Sequence, residues 1–164
     1  MTQISLFIAS FAGAGFFPKA PGTAGTVAGL LFFLFFVKLD TSANALWLGL
    51  GLLFIVGWMV SHHLLKQSNF KDCDPSYIVI DEVAGIWLTI LLVQLFYQPT
   101  WLLYGSCFLA FRFFDIVKPW PIGWLDHRLS QNFSTASFGI MIDDIAAGLV
   151  SALIIIDFYK ILGQ

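Results

Sequence analysis

Ile78-Val79-Ile80-Asp81-Glu82-Val83-Ala84 is echoed later in the chain by Ile140-Met141-Ile142-Asp143-Asp144-Ile145-Ala146. Each copy sets two adjacent carboxylates at the head of an apolar run of helical length. Such a run, placed in a bilayer, satisfies its backbone as a helix, so the pair predicts an all-α membrane protein. An acid at bilayer depth costs about 2.5–3.5 kcal/mol on insertion scales, so four of them need partners. The economical partner for clustered carboxylates is a hard divalent cation, Mg²⁺ first.

The surroundings agree. Of 164 residues, 59% are hydrophobic and 11% charged, against about 25% charged in a soluble domain. The length suits one domain over residues 1–164. Eighteen Phe and six Trp fit lipid contact and interfacial anchoring. A net charge of −2 with no basic stripe leaves nothing to follow a phosphate backbone, which argues against a nucleic-acid partner. Cys73 and Cys107 form no framework and read as free thiols. The apolar stretch 4–17 lacks a basic leader, unlike a cleavable signal peptide.

Five segments read as buried helices: about Thr23 to Val37, Ala43 to Val60, Ile78 to Tyr97, Trp101 to Val117 and Ile140 to Tyr159. Residues 1–17 read as a re-entrant or interfacial segment or a loop. All six prolines fall between these segments or just before one, as helix boundaries require. Residues 40–44 and 67–76 read as polar connections, and residues 118–139 as the longest non-apolar piece. If all five segments cross, Lys19, Lys66, Lys71, Arg112, Lys118 and Arg128 share one side, and only Lys38 and Lys160 lie opposite. The positive-inside rule then puts the larger set, and with it the acid pairs, at the cytoplasmic face.

Three constellations carry chemistry. The acid pairs come first: neighbouring helix residues point about 100° apart, so one pair rarely grips one ion with both side chains. Two facing helices can each aim an acid inward, as in bundle metal sites. Gly85 follows Asp81 by four and Gly148 follows Asp144 by four, and small residues on that face allow close approach. A lone acid pair at a helix start only complements the macrodipole; two near-copies favour a metal site built from Asp81, Glu82, Asp143 and Asp144. The second constellation is Pro18-Lys19-Ala20-Pro21-Gly22-Thr23-Ala24-Gly25-Thr26, ahead of an apolar helix. Its free N–H groups and hydroxyls suit a phosphate cradle from Gly22, Thr23 and Thr26, and an N-cap with packing glycines explains it equally well. In the third, Arg112, Asp115 and Lys118 share a broad helix face. Asp115 can assist a metal while Lys118 and Arg112 meet an anion. Against this stands an interfacial belt in which Trp120 and Trp124 anchor and Lys118 snorkels. His62, His63 and His127 lack metal-ligand spacing, His62-His63 reading as a solvated helix end, and no nucleophile elbow is present.

Phe111 to Ile122, Gly139 to Gly148, Ile78 to Gly85 and Ala20 to Thr26, in order along the chain, resemble the phosphatidylglycerophosphatase A family. The resemblance implies a multihelical, Mg²⁺-dependent lipid phosphatase of bacterial inner membranes that turns phosphatidylglycerophosphate into phosphatidylglycerol. With the three constellations, that activity assigns catalytic roles to Asp81, Glu82, Asp115, Asp143 and Asp144, beside phosphate contacts from Lys118, Gly22, Thr23, Thr26 and Arg112. One departure is Ala136-Ser137, where the family usually carries Gly-Gly. The competing class is a cation transporter or channel using paired intramembrane carboxylates. The sequence is silent on oligomeric state.

Overall fold

A computed structural model describes residues 2–68, 75–120, 122–130 and 135–163. Seven helices follow one another: α1 (Thr2–Ala9), α2 (Pro21–Lys38), α3 (Ala43–Gln67), α4 (Ile80–Val93), α5 (Trp101–Val117), α6 (Ile122–Ser130) and α7 (Ala136–Ile161). A 3-10 turn at Ala14–Phe16 leads into α2. The all-helical expectation holds, with no strand among the described residues.

Local chemistry sets the boundaries. Pro21 occupies the first helical position of α2, where its missing N–H costs nothing. Ser42 caps α3 through Ala45 N–H, and Thr100 caps α5 through Leu103 N–H. Lys118 closes α5 in a left-handed conformation, φ 42°.

Each of the five anticipated segments coincides with a helix, but three differ in extent. α3 runs on to Gln67, so His62 and His63 lie inside it instead of at a solvated end. His62 Nδ1 is 3.2 Å from the buried Ser137 Oγ, a partner that steadies this extension. α4 stops at Val93, and Gln94 turns to donate to Tyr104 Oη. α7 begins at Ala136, so Asp143 and Asp144 lie two turns inside the helix rather than at its start. Ala136 and Ser137, in the Gly-Gly position, are fully buried in that first turn. The polar piece 118–139 contains a short helix, α6, whose apolar Ile122 is fully buried. The 67–76 connection and Cys73 fall largely outside the described residues, whereas Cys107 is a free, buried thiol.

Three helices are long and apolar enough to cross a membrane: α2 with 18 residues, α3 with 25 and α7 with 26. α4, with 14 residues, is only about 21 Å long, short of the ~30 Å hydrocarbon layer.

The centre is the α4–α7 pair, around which α2, α3, α5 and α6 are arranged. α4 is buried along most of its length, and Val83, Ile86, Trp87 and Ile90 are 0–2% exposed. Gly85 and Gly148 meet where α4 and α7 cross. A Cβ on Gly148 would stand 2.6 Å from Gly85 O, and one on Gly85 would stand 2.9 Å from Asp144 O. Thr89 Oγ1 lies within donating reach of both Gly85 O (2.9 Å) and Gly148 O (3.2 Å), closing the crossing. α2 packs on α4 through Gly25 and Gly29, and Trp87 Nε1 donates to Gly29 O at 2.9 Å. α2 and α3, although joined by the short 39–42 turn, barely touch. In contrast to this apolar interior, Leu31, Phe35, Leu48, Leu52, Leu149 and Leu153 face outward, as lipid contact requires.

Candidate metal and phosphate site

The α4–α7 crossing decides where the acids go. Asp81 and Asp144 each sit one turn from the glycine of the contact, so close backbone approach brings both carboxylates to one place. One carboxylate oxygen from each of Asp81, Glu82 and Asp144 lies within 4.8 Å of the others. Asp81 is 7% exposed and Asp144 3%. The effective penalty for burying an ion is several kcal/mol, so such a group needs opposite charge beside it.

The cluster opens into a cavity of about 220 Å³ lined by Pro21, Gly22, Ser76, Ile78 and seven charged residues. Those seven are Asp81, Glu82, Asp115, Asp143 and Asp144 against Arg112 and Lys118. Fully ionised, five carboxylates and two cations leave an excess of three negative charges. The cations are already engaged. Arg112 donates to Asp115, both about one-eighth exposed. Lys118 pairs with Asp143 across two helices. Within the cluster, Glu82 Oε2 and Asp144 Oδ2 are buried without a hydrogen-bond partner among the described residues. Buried carboxylate oxygens are almost always satisfied. Orphaned oxygens in an all-oxygen donor set fit a hard divalent cation held by Asp81, Glu82 and Asp144.

Among the expected ligands Asp143 differs, since its carboxylate meets Lys118 instead of joining the three-oxygen group. Neighbours on a helix point in different directions, and here they serve different partners. In the anticipated phosphate cradle, Gly22 reaches the cavity and Thr23 does not line it. A Cβ on Gly22 would run into Glu82 Oε1 and crowd the Arg112 guanidinium, so only glycine leaves that corner open. Thr26 is fully buried behind the wall. It donates to Gly22 O at 2.9 Å and accepts from Arg112 Nη1 at 3.3 Å, so it steadies two wall residues. The third constellation splits, because Arg112, Asp115 and Lys118 face the cavity while Trp120 and Trp124 are exposed. Arg128 covers the Trp124 ring at 5.4 Å, as an interfacial anchor would be covered. Pro21, Ser76 and Ile78 were not anticipated as wall residues; only the Pro-Gly pair that opens α2 signalled the first.

The sequence profile described as phosphatidylglycerophosphatase A matches residues 7–158, nearly the whole chain. The chain belongs to the phosphatidylglycerophosphatase A family. It is 34% identical to the phosphatidylglycerophosphatase A of Escherichia coli K12 over 142 residues, 85% of this chain and 74% of that one. It is 30% identical to the phosphatidylglycerophosphatase A of Haemophilus influenzae over 155 residues, 94% and 88% of the two chains. A candidate phosphatidylinositol-3-phosphatase of Bacteroides thetaiotaomicron is 33% identical over 144 residues, 87% and 86%. No solved structure matches the chain. Membership makes this protein a lipid phosphatase, and all the charged groups of the cavity lie within the matched segment.

Proposed function

We propose that this protein removes the terminal phosphate of phosphatidylglycerophosphate at the cytoplasmic face of a bacterial inner membrane, with Mg²⁺ as cofactor. The observation that carries the reading is the buried Asp81–Glu82–Asp144 oxygen cluster opening into a cavity walled by Arg112 and Lys118. Two of three matched relatives carry the phosphatidylglycerophosphatase name. The cation-transport alternative draws no support from any of the three.

Charge bookkeeping favours the metal. One divalent ion cuts the cavity's excess to a single negative charge, and a second turns it to one positive, which a phosphate dianion meets. Bound Mg²⁺ supplies Lewis acidity toward phosphate oxygens and lowers the pKa of a coordinated water. The chain's own groups do the rest. Asp81, Glu82 and Asp144 hold the ion. Arg112 and Lys118 orient the phosphate; the guanidinium supplies directed donors and the ammonium a point charge. The open corner at Gly22 admits the headgroup. Of the two acids outside the cluster, Asp143 and Asp115, one accepts a proton from the attacking water. The phosphorus–oxygen bond to the glycerol oxygen breaks, that oxygen gains a proton, and inorganic phosphate leaves. Only the headgroup enters this polar cavity; the acyl chains stay on its apolar side.

The test is phosphate release by purified protein in detergent. The substrates are phosphatidylglycerophosphate, phosphatidic acid and phosphatidylinositol-3-phosphate, each with Mg²⁺ and with chelator. Release from the first, abolished by chelator and restored by Mg²⁺, is expected. Preference for either other lipid overturns the headgroup assignment, and chelator-resistant release overturns the metal. Cysteine labelling from each side of inverted vesicles, at a residue placed near Trp120, tests the cytoplasmic orientation.

A further inference from the structure

The space left where α2 and α3 fail to meet is a second cavity, unlike the first. It measures about 720 Å³, within the range of small-molecule sites. Its walls come from Phe7, Ile8 and Phe11 near the end of α1, Phe32 and Phe36 of α2, and residues 45–56 of α3. Trp87 and Ile80 of α4 form its floor, and Thr41, at the 39–42 turn, adds its one hydroxyl among the described residues.

We propose that this cleft receives one acyl chain of the lipid substrate, making it the chain subsite of the phosphatase. The proposal rests on the phosphatase reading above for the identity of that lipid. Its position is the first argument. Gly57 of α3 packs against Ile80, with a Cβ there 3.2 Å from Ile80 Cγ2, so the cleft's upper end is level with the first turn of α4. Ile80 faces the cleft, whereas Asp81 and Ile78 face the acid cavity. A headgroup at the cluster therefore brings its glycerol to the height at which the cleft starts. The second argument is depth. From Val56 to Ala45 the cleft follows α3 for about 16 Å, roughly half of a ~30 Å hydrocarbon layer and thus one leaflet. The third is continuity. Two of the three helices apolar enough to cross a membrane border the cleft, and their exposed Leu31, Phe35, Leu48 and Leu52 continue it into a lipid-facing surface. An apolar chain needs no polar partner, and Trp87 N–H, the one strong donor on the floor, is already spent on Gly29 O.

The experiment places bulk at two depths. Ala45 and Val56 are both exposed cleft-wall positions, so Ala45→Trp and Val56→Trp should fold. Leu149→Trp, on exposed α7 surface away from the cleft, is the control. With dipalmitoyl phosphatidylglycerophosphate, kcat/KM should fall roughly tenfold in Ala45→Trp, the scale of a small misfit in an apolar pocket. With the dihexanoyl lipid it should hold, because a short chain never reaches Ala45. Val56→Trp should lower both, and the control neither. Equal losses on both lipids in Ala45→Trp, or none in either cleft variant, overturn the proposal. A second arm needs no turnover. A phosphatidic acid carrying a mid-chain diazirine should form adducts within residues 45–56 of α3, displaced by unlabelled dipalmitoyl phosphatidylglycerophosphate and not by phosphatidylcholine. Displacement by phosphatidylcholine would mean an ordinary bilayer lipid, and a crosslink between two protein copies would mean a partner helix; either overturns it. Wild-type protein that binds the probe competitively yet releases no phosphate would sink the phosphatase reading and leave the chain subsite standing.

Discussion

Two neighbouring gaps between helices have opposite fates in this molecule. α4 and α7 close until backbone meets backbone at Gly85 and Gly148, and the charged residues collect one turn away. α2 and α3 leave a cleft lined by Phe32, Phe36 and Leu53 among others, and among the described residues it has no charged wall. Residue size explains both. Glycines let helices approach where polar chemistry needs convergence, and large apolar side chains line the gap that stays open. A membrane enzyme needs both kinds of place, since its substrate is ionic at one end and hydrocarbon at the other.

The hardest blow to that contrast is to the acids themselves. Asp81→Asn and Asp144→Asn should each cut Mg²⁺-dependent phosphate release by more than about a hundredfold, beyond what outer-shell changes cost. Folding, followed by thermal unfolding in detergent, should survive, because removing charge relieves a crowded cluster. Full activity in both would show that the crossing is not the reactive place. Next comes the contact that creates it. Gly148→Ala drives a Cβ into Gly85 O and should destabilise by about 1–3 kcal/mol, as overpacking does. Gly51→Ala on α3, with nothing within 4 Å of the new Cβ, should change the unfolding midpoint little. Equal effects at the two glycines would show that the crossing is packed no more tightly than exposed helix surface.

A finer comparison separates the wall from its support. Thr26→Val removes the acceptor that steadies Arg112, an interaction of about 1 kcal/mol. KM should rise about fivefold with kcat nearly kept, and Thr26→Ser should restore it. A fall in kcat alone would place Thr26 nearer the chemistry. The mildest change is Trp87→Phe, which keeps a ring on the cleft floor and deletes the bond to Gly29 O. A stability loss of about 1 kcal/mol is expected, visible as a lower detergent unfolding temperature.

Much of this was legible in the chain. Proline placement and apolar runs mark α2 and α5 almost to the residue, because a boundary proline and a capping Ser or Thr act locally. The end of α3 was not legible: His62-His63 looks like a polar stop, and the Ser137 that receives His62 is 75 residues away. α6 escaped because its polar composition hides the buried Ile122. In the site, the paired acids announced themselves by repetition. The division of labour within them did not, because whether Asp143 meets a metal or Lys118 depends on where α5 ends, 25 residues earlier. Thr26 shows the same limit, since sequence placed its hydroxyl on the ligand and packing placed it behind an arginine.

The Gly85–Gly148 contact has a mechanical corollary. It is a fulcrum, and the carboxylates of Asp81 and Asp144 sit on very short lever arms, about 5.4 Å or one helical turn from it. A swing of about 10° in the tilt of α7 would shift them by only ~1 Å, although the far end of that helix would sweep several times as far. Membranes of differing thickness tilt their helices differently. Pivoting so close to the carboxylates lets the outer reaches of the bundle follow the bilayer while the acid cluster keeps its shape.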